Sequence, residues 1–227
     1  MKKPTTTLFM ISSLDGKIST GSVDDRDIDK DFPKIKGVKE GLKQYYELEQ
    51  KTDLHSLNTG RVMAKIGVNS KKEQPKKIPV TFVIVDNKHL DKNGITYLTR
   101  WLKKLYLVTT NKNHPAFKDN ATNLEVIYYK KLNFKDLFEK LKQEYKINRL
   151  TLQSGGTLNS ILLRDGLIDC ISLVIAPCLI GGSETSTLID GKSLISEKDL
   201  KHIKALKLIK CQKLKDSYLN LTYKVLN

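Results

Sequence analysis

Three short runs constrain this chain more than anything else in it: Val80-Thr-Phe-Val-Ile-Val85, Leu105-Tyr-Leu-Val-Thr109 and Leu124-Glu-Val-Ile-Tyr128. Each has strand length and is apolar or β-branched on nearly every residue, and the first two stop at polar turn signals, Asp86-Asn87 and Thr110-Asn111. A strand with one wet face alternates polar and apolar residues. A strand apolar on both faces belongs inside a sheet covered on each side by helices. The rest of the chain agrees with such a sheet. Residues 6–12 predict a first strand running into the turn-rich Ser13-Leu-Asp-Gly16, and residues 57–63 predict a strand end, a turn and a helix start. Residues 150–153 and 170–176 predict two more strands, the second closed by Pro177.

Helical spacing fills the intervals. Leu42, Tyr45, Tyr46 and Glu49 suit a helix over residues 38–49. Phe134, Leu137, Phe138, Leu141 and Tyr145 make one apolar stripe, with Asn133 as N-cap and Asp136 in the first turn. A third helix carries Leu158, Ile161 and Leu162 and stops at Gly166. Residues 19–37, crowded with Asp, Gly and Lys, predict a long irregular loop. Residues 205–214 and 218–225, joined by Lys215-Asp-Ser217, predict an antiparallel hairpin in which Leu219, Leu221, Tyr223 and Val225 alternate onto one buried face. The expectation is an α/β fold: a mostly parallel central sheet flanked by helices, with a C-terminal antiparallel hairpin, in a single domain over residues 1–227.

Composition narrows the function classes. No apolar run approaches the ~20 residues of a membrane span. Lys2 and Lys3 precede apolar residues as in a signal peptide, but Asp15 interrupts the apolar core early, so a cytoplasmic protein is expected. Cys170, Cys178 and Cys211 are odd in number and lack C-x-x-C spacing, and the four histidines show no ligand spacing. Free buried thiols and no structural metal follow. The formal charge of +15 raises a nucleic-acid partner. Its lysines are spread along the chain without interleaved aromatics, and Lys71-Lys72 through Lys76-Lys77 reads as a solvated turn, so nucleic acid is not expected as the main partner. A basic surface still draws phosphorylated small molecules.

Leu150-Thr-Leu-Gln-Ser-Gly-Gly-Thr-Leu-Asn159 is a strand, a glycine turn and a helix start in ten residues. Such a junction aims backbone N–H groups, at the positive end of a helix dipole, toward a phosphate. The same glycines also serve plain close packing, and both readings stand at this point.

Four segments carry a resemblance. Ser12-Ser-Leu-Asp-Gly-Lys-Ile18, Gln153-Ser-Gly-Gly-Thr-Leu-Asn159, Gly166-Leu-Ile-Asp169 and Ile175-Ala-Pro-Cys-Leu-Ile-Gly-Gly182 resemble, in order, motifs of the riboflavin-biosynthesis reductases. That family forms the C-terminal domain of a bifunctional deaminase-reductase and has a dihydrofolate-reductase-like fold. The resemblance implies an oxidoreductase with NADPH as cofactor, reducing the ribose of a ribosylamino-pyrimidine, phosphorylated or not, to ribityl, and working as a homodimer. Ser154, Gly155, Gly156, Thr157 and Leu158 would hold cofactor phosphates. Asn58, Thr59, Gly60 and Arg61 would form a second phosphate site, with Arg61 facing the 2′-phosphate; a capped helix start is the other reading of that turn. Gly181 and Gly182 would let backbone approach the cofactor, or make a turn. Asp15 is the candidate catalytic group, or the centre of an Asx turn. Ser13, Lys17, Arg26 and Gln153 are candidate substrate contacts, with Lys17 equally readable as a solvated strand-end lysine.

Two departures bear on the substrate. The family's Glu before its glycine row is Gln153 here and its first Gly is Ser154. The loop after Ile18, where the family has a Trp- and Arg-containing phosphate-binding stretch, reads Gly21-Ser-Val-Asp-Asp-Arg-Asp-Ile-Asp29 and offers only Arg26 as a cation. A reductase of another substrate, dihydrofolate or a pterin, is the alternative. The helix predicted from Val38 offers it only Glu40, Glu47 and Glu49.

Overall fold

The computed structural model describes residues 2–226. Its strands are β1 (Thr5–Ser13), β2 (His55–Thr59), β3 (Ile78–Val85), β4 (Leu102–Thr109), β5 (Leu124–Tyr128), β6 (Arg149–Leu152), β7 (Cys170–Ala176), β8 (Ala205–Lys213) and β9 (Leu219–Leu226). Its helices are α1 (Ile28–Asp31), α2 (Lys43–Glu49), α3 (Gly60–Lys65), α4 (Lys92–Trp101), α5 (Phe134–Gln143) and α6 (Gly156–Arg164). The chain gathers into two compact units, one of residues 2–4 with 53–154 and one of residues 5–52 with 155–226.

In the first unit the strand order is β5-β4-β3-β2-β6, and each neighbouring pair is parallel. The three apolar runs became β3, β4 and β5, but β5 lies at the sheet edge with only Ile127 buried, not inside the sheet. Val83, Ile84, Leu105, Leu107 and Val108 are fully buried, as two-sided strands require. Their core includes Ile95 and Leu98 from α4. Asn133 caps α5, accepting from the N–H groups of Lys135 and Asp136, and Leu137, Phe138 and Leu141 are its buried stripe.

In the second unit the order is β1-β7-β9-β8, with β1 and β7 parallel and the last three strands antiparallel. The hairpin turn holds Asp216 and Ser217 at φ 54° and 63°. Phe9, Ile11, Val174 and Tyr218 form its core with Ile28, Phe32, Val38, Leu42 and Tyr45. Phe9 stacks on Tyr45 with ring centroids 5.3 Å apart, and the buried Tyr218 hydroxyl donates to the Val38 carbonyl at 2.7 Å.

Several expectations are corrected. The helix expected over residues 38–49 begins only at Lys43, after turns that let Val38 and Leu42 point into the core. The irregular loop contains α1 and a short 3-10 turn, because Ile28 and Phe32 are buried anchors inside a polar stretch. Cys211 lies exposed on β8, while Cys170 and Cys178 are half-buried, so the thiols are free but none is fully buried. Strand β9 does not sort into one buried face: Asn220 and Val225 are buried, whereas Leu219, Leu221 and Tyr223 are half-covered. Its position between β7 and β8 leaves both faces partly shielded.

Candidate active site

The parallel strands deliver the candidate residues at their carboxyl ends, where ligands of open α/β sheets bind. In the first unit, β2 ends at Asn58 and Thr59 and passes directly into α3. The Thr59 hydroxyl accepts from the Val62 N–H at 3.3 Å, so this residue is the helix cap. Gly60 is buried, and a Cβ there would overlap the Asp86 carboxylate. Arg61 is exposed on the first turn of α3. Asn58 is buried and donates from Nδ2 to Ser56 Oγ at 3.0 Å, and Ser56 Oγ donates to Gln153 Oε1 at 3.0 Å. Parallel pairing of Ser56 with Thr151 sets this bridge between β2 and the end of β6. Asn58 and Gln153 thus belong to one polar chain, and Ser56, which sequence reasoning missed, is its link. Ser154 is buried beside it.

Asp86 is the other residue missed. It follows β3 and accepts from the N–H groups of Lys88, His89 and Leu90, from His89 Nδ1 at 3.0 Å and from His114 Nε2 at 3.0 Å. The Ala116 N–H donates to His114 Nδ1, so that imidazole carries its proton on Nε2 and its contact with Asp86 is a hydrogen bond to a carboxylate. Burial pushes the Asp86 pKa up, but these donors outweigh it and hold the group ionised, below the usual carboxylate range. The charge organises residues 86–90 against Gly60. Only the Asp86-Asn87 turn signal marked it in the sequence.

In the second unit, helix α6 opens at Gly155, a cap residue that offers its N-terminal donors no side-chain acceptor of the kind Thr59 gives α3. A Cβ on Gly155 would meet nothing within 4 Å, whereas one on Gly156 would overlap the Thr187 carbonyl and the Asp190 carboxylate. The glycine pair is therefore divided: Gly156 is demanded by packing, and Gly155 leaves open space in front of the helix. Thr157 is exposed and Leu158 half-buried on the same turn. Asp190 ties this turn to its neighbours, accepting from Thr187 N–H and Oγ1 and donating its own N–H to the Gly156 carbonyl.

The first-strand motif is brought onto the 178–188 segment. Asp15 accepts from Ser13 Oγ at 2.5 Å, from the Ile180 N–H at 3.1 Å and from the Gly181 N–H at 2.6 Å. The Ser13 hydroxyl and then the Gly181 N–H are the main causes of a pKa lowered to about 2. Lys17 Nζ donates to the carbonyls of Gly182 at 2.6 Å and Thr185 at 3.0 Å. Gly181 and Gly182 take φ of 71° and 82°, which a side chain would resist. Ser13, Asp15, Lys17, Gly181 and Gly182 thus form one latch, in which Asp15 clamps a distant loop instead of closing a local Asx turn. Arg26 stands outside it, pairing with Asp31 at 3.6 Å. Among the described residues no group of His, Cys, Asp and Glu could hold a metal ion, and no helix is long and apolar enough to cross a membrane.

The family model of the RibD C-terminal domain matches residues 4–219. The 2,5-diamino-6-ribosylamino-4(3H)-pyrimidinone 5′-phosphate reductase of Methanothermobacter thermautotrophicus is 26% identical over 197 residues, covering 85% of this chain and 86% of that protein. Among solved structures, Acinetobacter baumannii RibD superposes with TM-score 0.67 at 17% identity, over 99% of this chain and 59% of that one. The chain thus spans 59% of the length of that protein. The riboflavin biosynthesis reductase Rib7 of Saccharomyces cerevisiae gives TM-score 0.62 at 19% identity, over 99% and 90% of the two chains. These likenesses give the dihydrofolate-reductase-like α/β fold, and the family match runs through all four motif segments: the chain belongs to the RibD C-terminal domain family.

Proposed function

We propose that residues 1–227 act as one reductase domain of the riboflavin pathway, which uses NADPH to reduce the ribose of a ribosylamino-pyrimidine, phosphorylated or not, to ribityl. The observation that carries this reading is the uncapped start of α6 behind Gly155, in a chain whose family relative is named as such a reductase. Open space before the N-terminal donors of a helix fits a dinucleotide phosphate. When bound, the nicotinamide supplies a hydride.

The chain's own residues hold and orient. Helix α6 offers the N–H groups of its first turn to one phosphate, with Thr157 Oγ1 beside them and Leu158 packing beneath. Arg61, exposed after the Thr59 cap, faces the 2′-phosphate with a planar guanidinium. The Ser56 bridge fixes the Gln153 amide at the substrate's pyrimidine edge. Ser13, Lys17 and the Gly181-Gly182 turn shape the wall that Asp15 clamps. Asp15 is held ionised by three donors, which suits positioning and not proton delivery. Arg26 screens the acidic 24–31 loop toward an anionic substrate. The exposed apolar residues Leu206, Leu208, Ile209 and Leu226 of the hairpin are a surface for a second copy, and the site is that of a cytoplasmic homodimer.

Oxidation of NADPH by the purified chain, followed by nicotinamide absorbance with phosphorylated and unphosphorylated ribosylamino-pyrimidines and with dihydrofolate, tests the reading. Turnover is expected with the pyrimidines only. Arg61→Gln should weaken NADPH about tenfold or more, the worth of one charge-assisted contact, and leave NADH unchanged. Equal loss of both cofactors, or turnover of dihydrofolate alone, overturns it.

A further inference from the structure

A groove of about 520 Å³ lies within the first unit, between residues 69–75 and the outer side of α4. Its cations are Lys71, Lys72, Lys92 and Arg100, and Glu73 is its only carboxylate. None of the four cations forms an ion pair among the described residues, although elsewhere Lys34, Lys43, Lys104, Lys140 and Arg149 all do. Lys71 Nζ sits 5.3 Å from the centre of the Tyr97 ring. The wall carrying Lys71 and Lys72 is anchored: Asn69 Nδ2 donates to the His89 carbonyl at 2.7 Å, and Asn69 Oδ1 accepts from the Asp91 N–H at 3.3 Å.

Four like charges around one concavity repel each other, and the single carboxylate of Glu73 offsets them only in part. The volume falls in the range of small-molecule sites. Three ammonium groups and one guanidinium match several phosphate oxygens in varied geometry, and Tyr97 adds a flat, half-covered ring. We propose that this groove is a second ligand site that takes a small polyphosphate ester of the nucleoside di- or triphosphate kind. The turn that reads in the sequence as merely solvated is one wall of it. The site stands apart from the residues assigned to the reductase reaction and does not rest on that reading.

The single tryptophan, Trp101, reports on the groove, its ring centre lying 6.0 Å from that of Tyr97. ATP and inorganic tripolyphosphate are titrated into the protein, without substrate or NADPH, while tryptophan fluorescence and heat are followed. Saturable binding below millimolar concentration is expected for both. Lys72→Glu and Arg100→Glu, each at an exposed position, should weaken it tenfold or more with the thermal midpoint unchanged. Lys118→Glu, an exposed lysine outside the groove, should leave it intact. Equal weakening in Lys118→Glu would mean attraction by net charge alone and would overturn the proposal. So would failure to saturate, or tight single-stranded DNA binding that ATP does not displace. A cofactor assay that fails leaves this titration unaffected.

Discussion

Substituting the two glycines at the start of α6 separates packing from ligand binding. In Gly156→Ala the new methyl must displace the Thr187 carbonyl or the Asp190 carboxylate. Neither is the loose end of a flexible chain, since Asp190 Oδ1 is held by Thr187 N–H at 2.9 Å and Oγ1 at 2.6 Å. Overpacking of this kind costs about 1–3 kcal/mol. Better helix propensity returns at most about 1 kcal/mol. The net expectation is a loss of about 1–2 kcal/mol, which at this chain length lowers the thermal midpoint by about 2–8 °C. Gly155→Ala meets nothing within 4 Å and keeps an ordinary φ of −73°. Its poorer cap, about 0.5–1 kcal/mol, is offset by the reduced freedom of the unfolded chain, about 0.4–1 kcal/mol. Stability should therefore stay level. If phosphate docks before Gly155, its methyl intrudes on the ligand and NADPH should bind at least about tenfold more weakly. Calorimetric scans and nicotinamide fluorescence titrations of both variants read the two effects separately. A Gly156→Ala protein as stable as the parent would refute the packing account. A Gly155→Ala protein with undiminished NADPH affinity would refute the phosphate account.

Three further outcomes follow from the same geometry. The Asp15 pKa is lowered to about 2, so its contribution is present above the ordinary carboxylate value near 4 and is lost as pH falls toward 2; amide exchange at Ile180 and Gly181 should lose protection across that window, and a flat profile would remove Asp15 from the latch. Asp86→Ala strips the acceptor from buried His114 and from the Leu90 N–H, two buried donors at about 1–3 kcal/mol each, so about 2–6 kcal/mol in urea unfolding; a loss under about 1 kcal/mol would contradict the organising role. Tyr218→Phe leaves the buried Val38 carbonyl without its donor and should cost about 1–2 kcal/mol, with the fluorescence of the native state unchanged; no measurable loss would mean that the carbonyl finds another donor.

What the sequence made legible depended on how local the physics was. The strands β3 and β4 were readable because two-sided burial writes itself into consecutive residues; β5 was found by the same apolar run, but it lies at the sheet edge with only Ile127 buried. Helix α5 was readable because cap and stripe lie within one segment. Helix α4 was not, since Asn93, Gly94, Thr96 and Thr99 dilute its apolar spacing and Gly94 is there for the approach of Asn69. At the site, Ser13, Asp15, Lys17, Gly181 and Gly182 were all named from motifs. Their mutual arrangement was not, because Asp15 satisfies backbone donors 165 and 166 residues away. Ser56 and Asp86 escaped because a lone Ser in a strand and an Asp after one look like ordinary turn chemistry.

The division of the chain has a consequence for its synthesis. Residues 53–154 of the first unit are continuous, so their sheet can assemble as soon as β6 emerges from the ribosome. The second unit must wait, because β1 has no partner in its unit until β7 arrives, Thr7 pairing with Cys170. The first strand, with the apolar run Leu8–Ile11 at its centre, therefore waits through the elongation of some 160 residues for its β7 partner, several seconds or more at ordinary translation rates. Its latch to residues 180–185 closes later still. Refolding from denaturant removes this schedule, and the nascent chain is where a chaperone has most to shield.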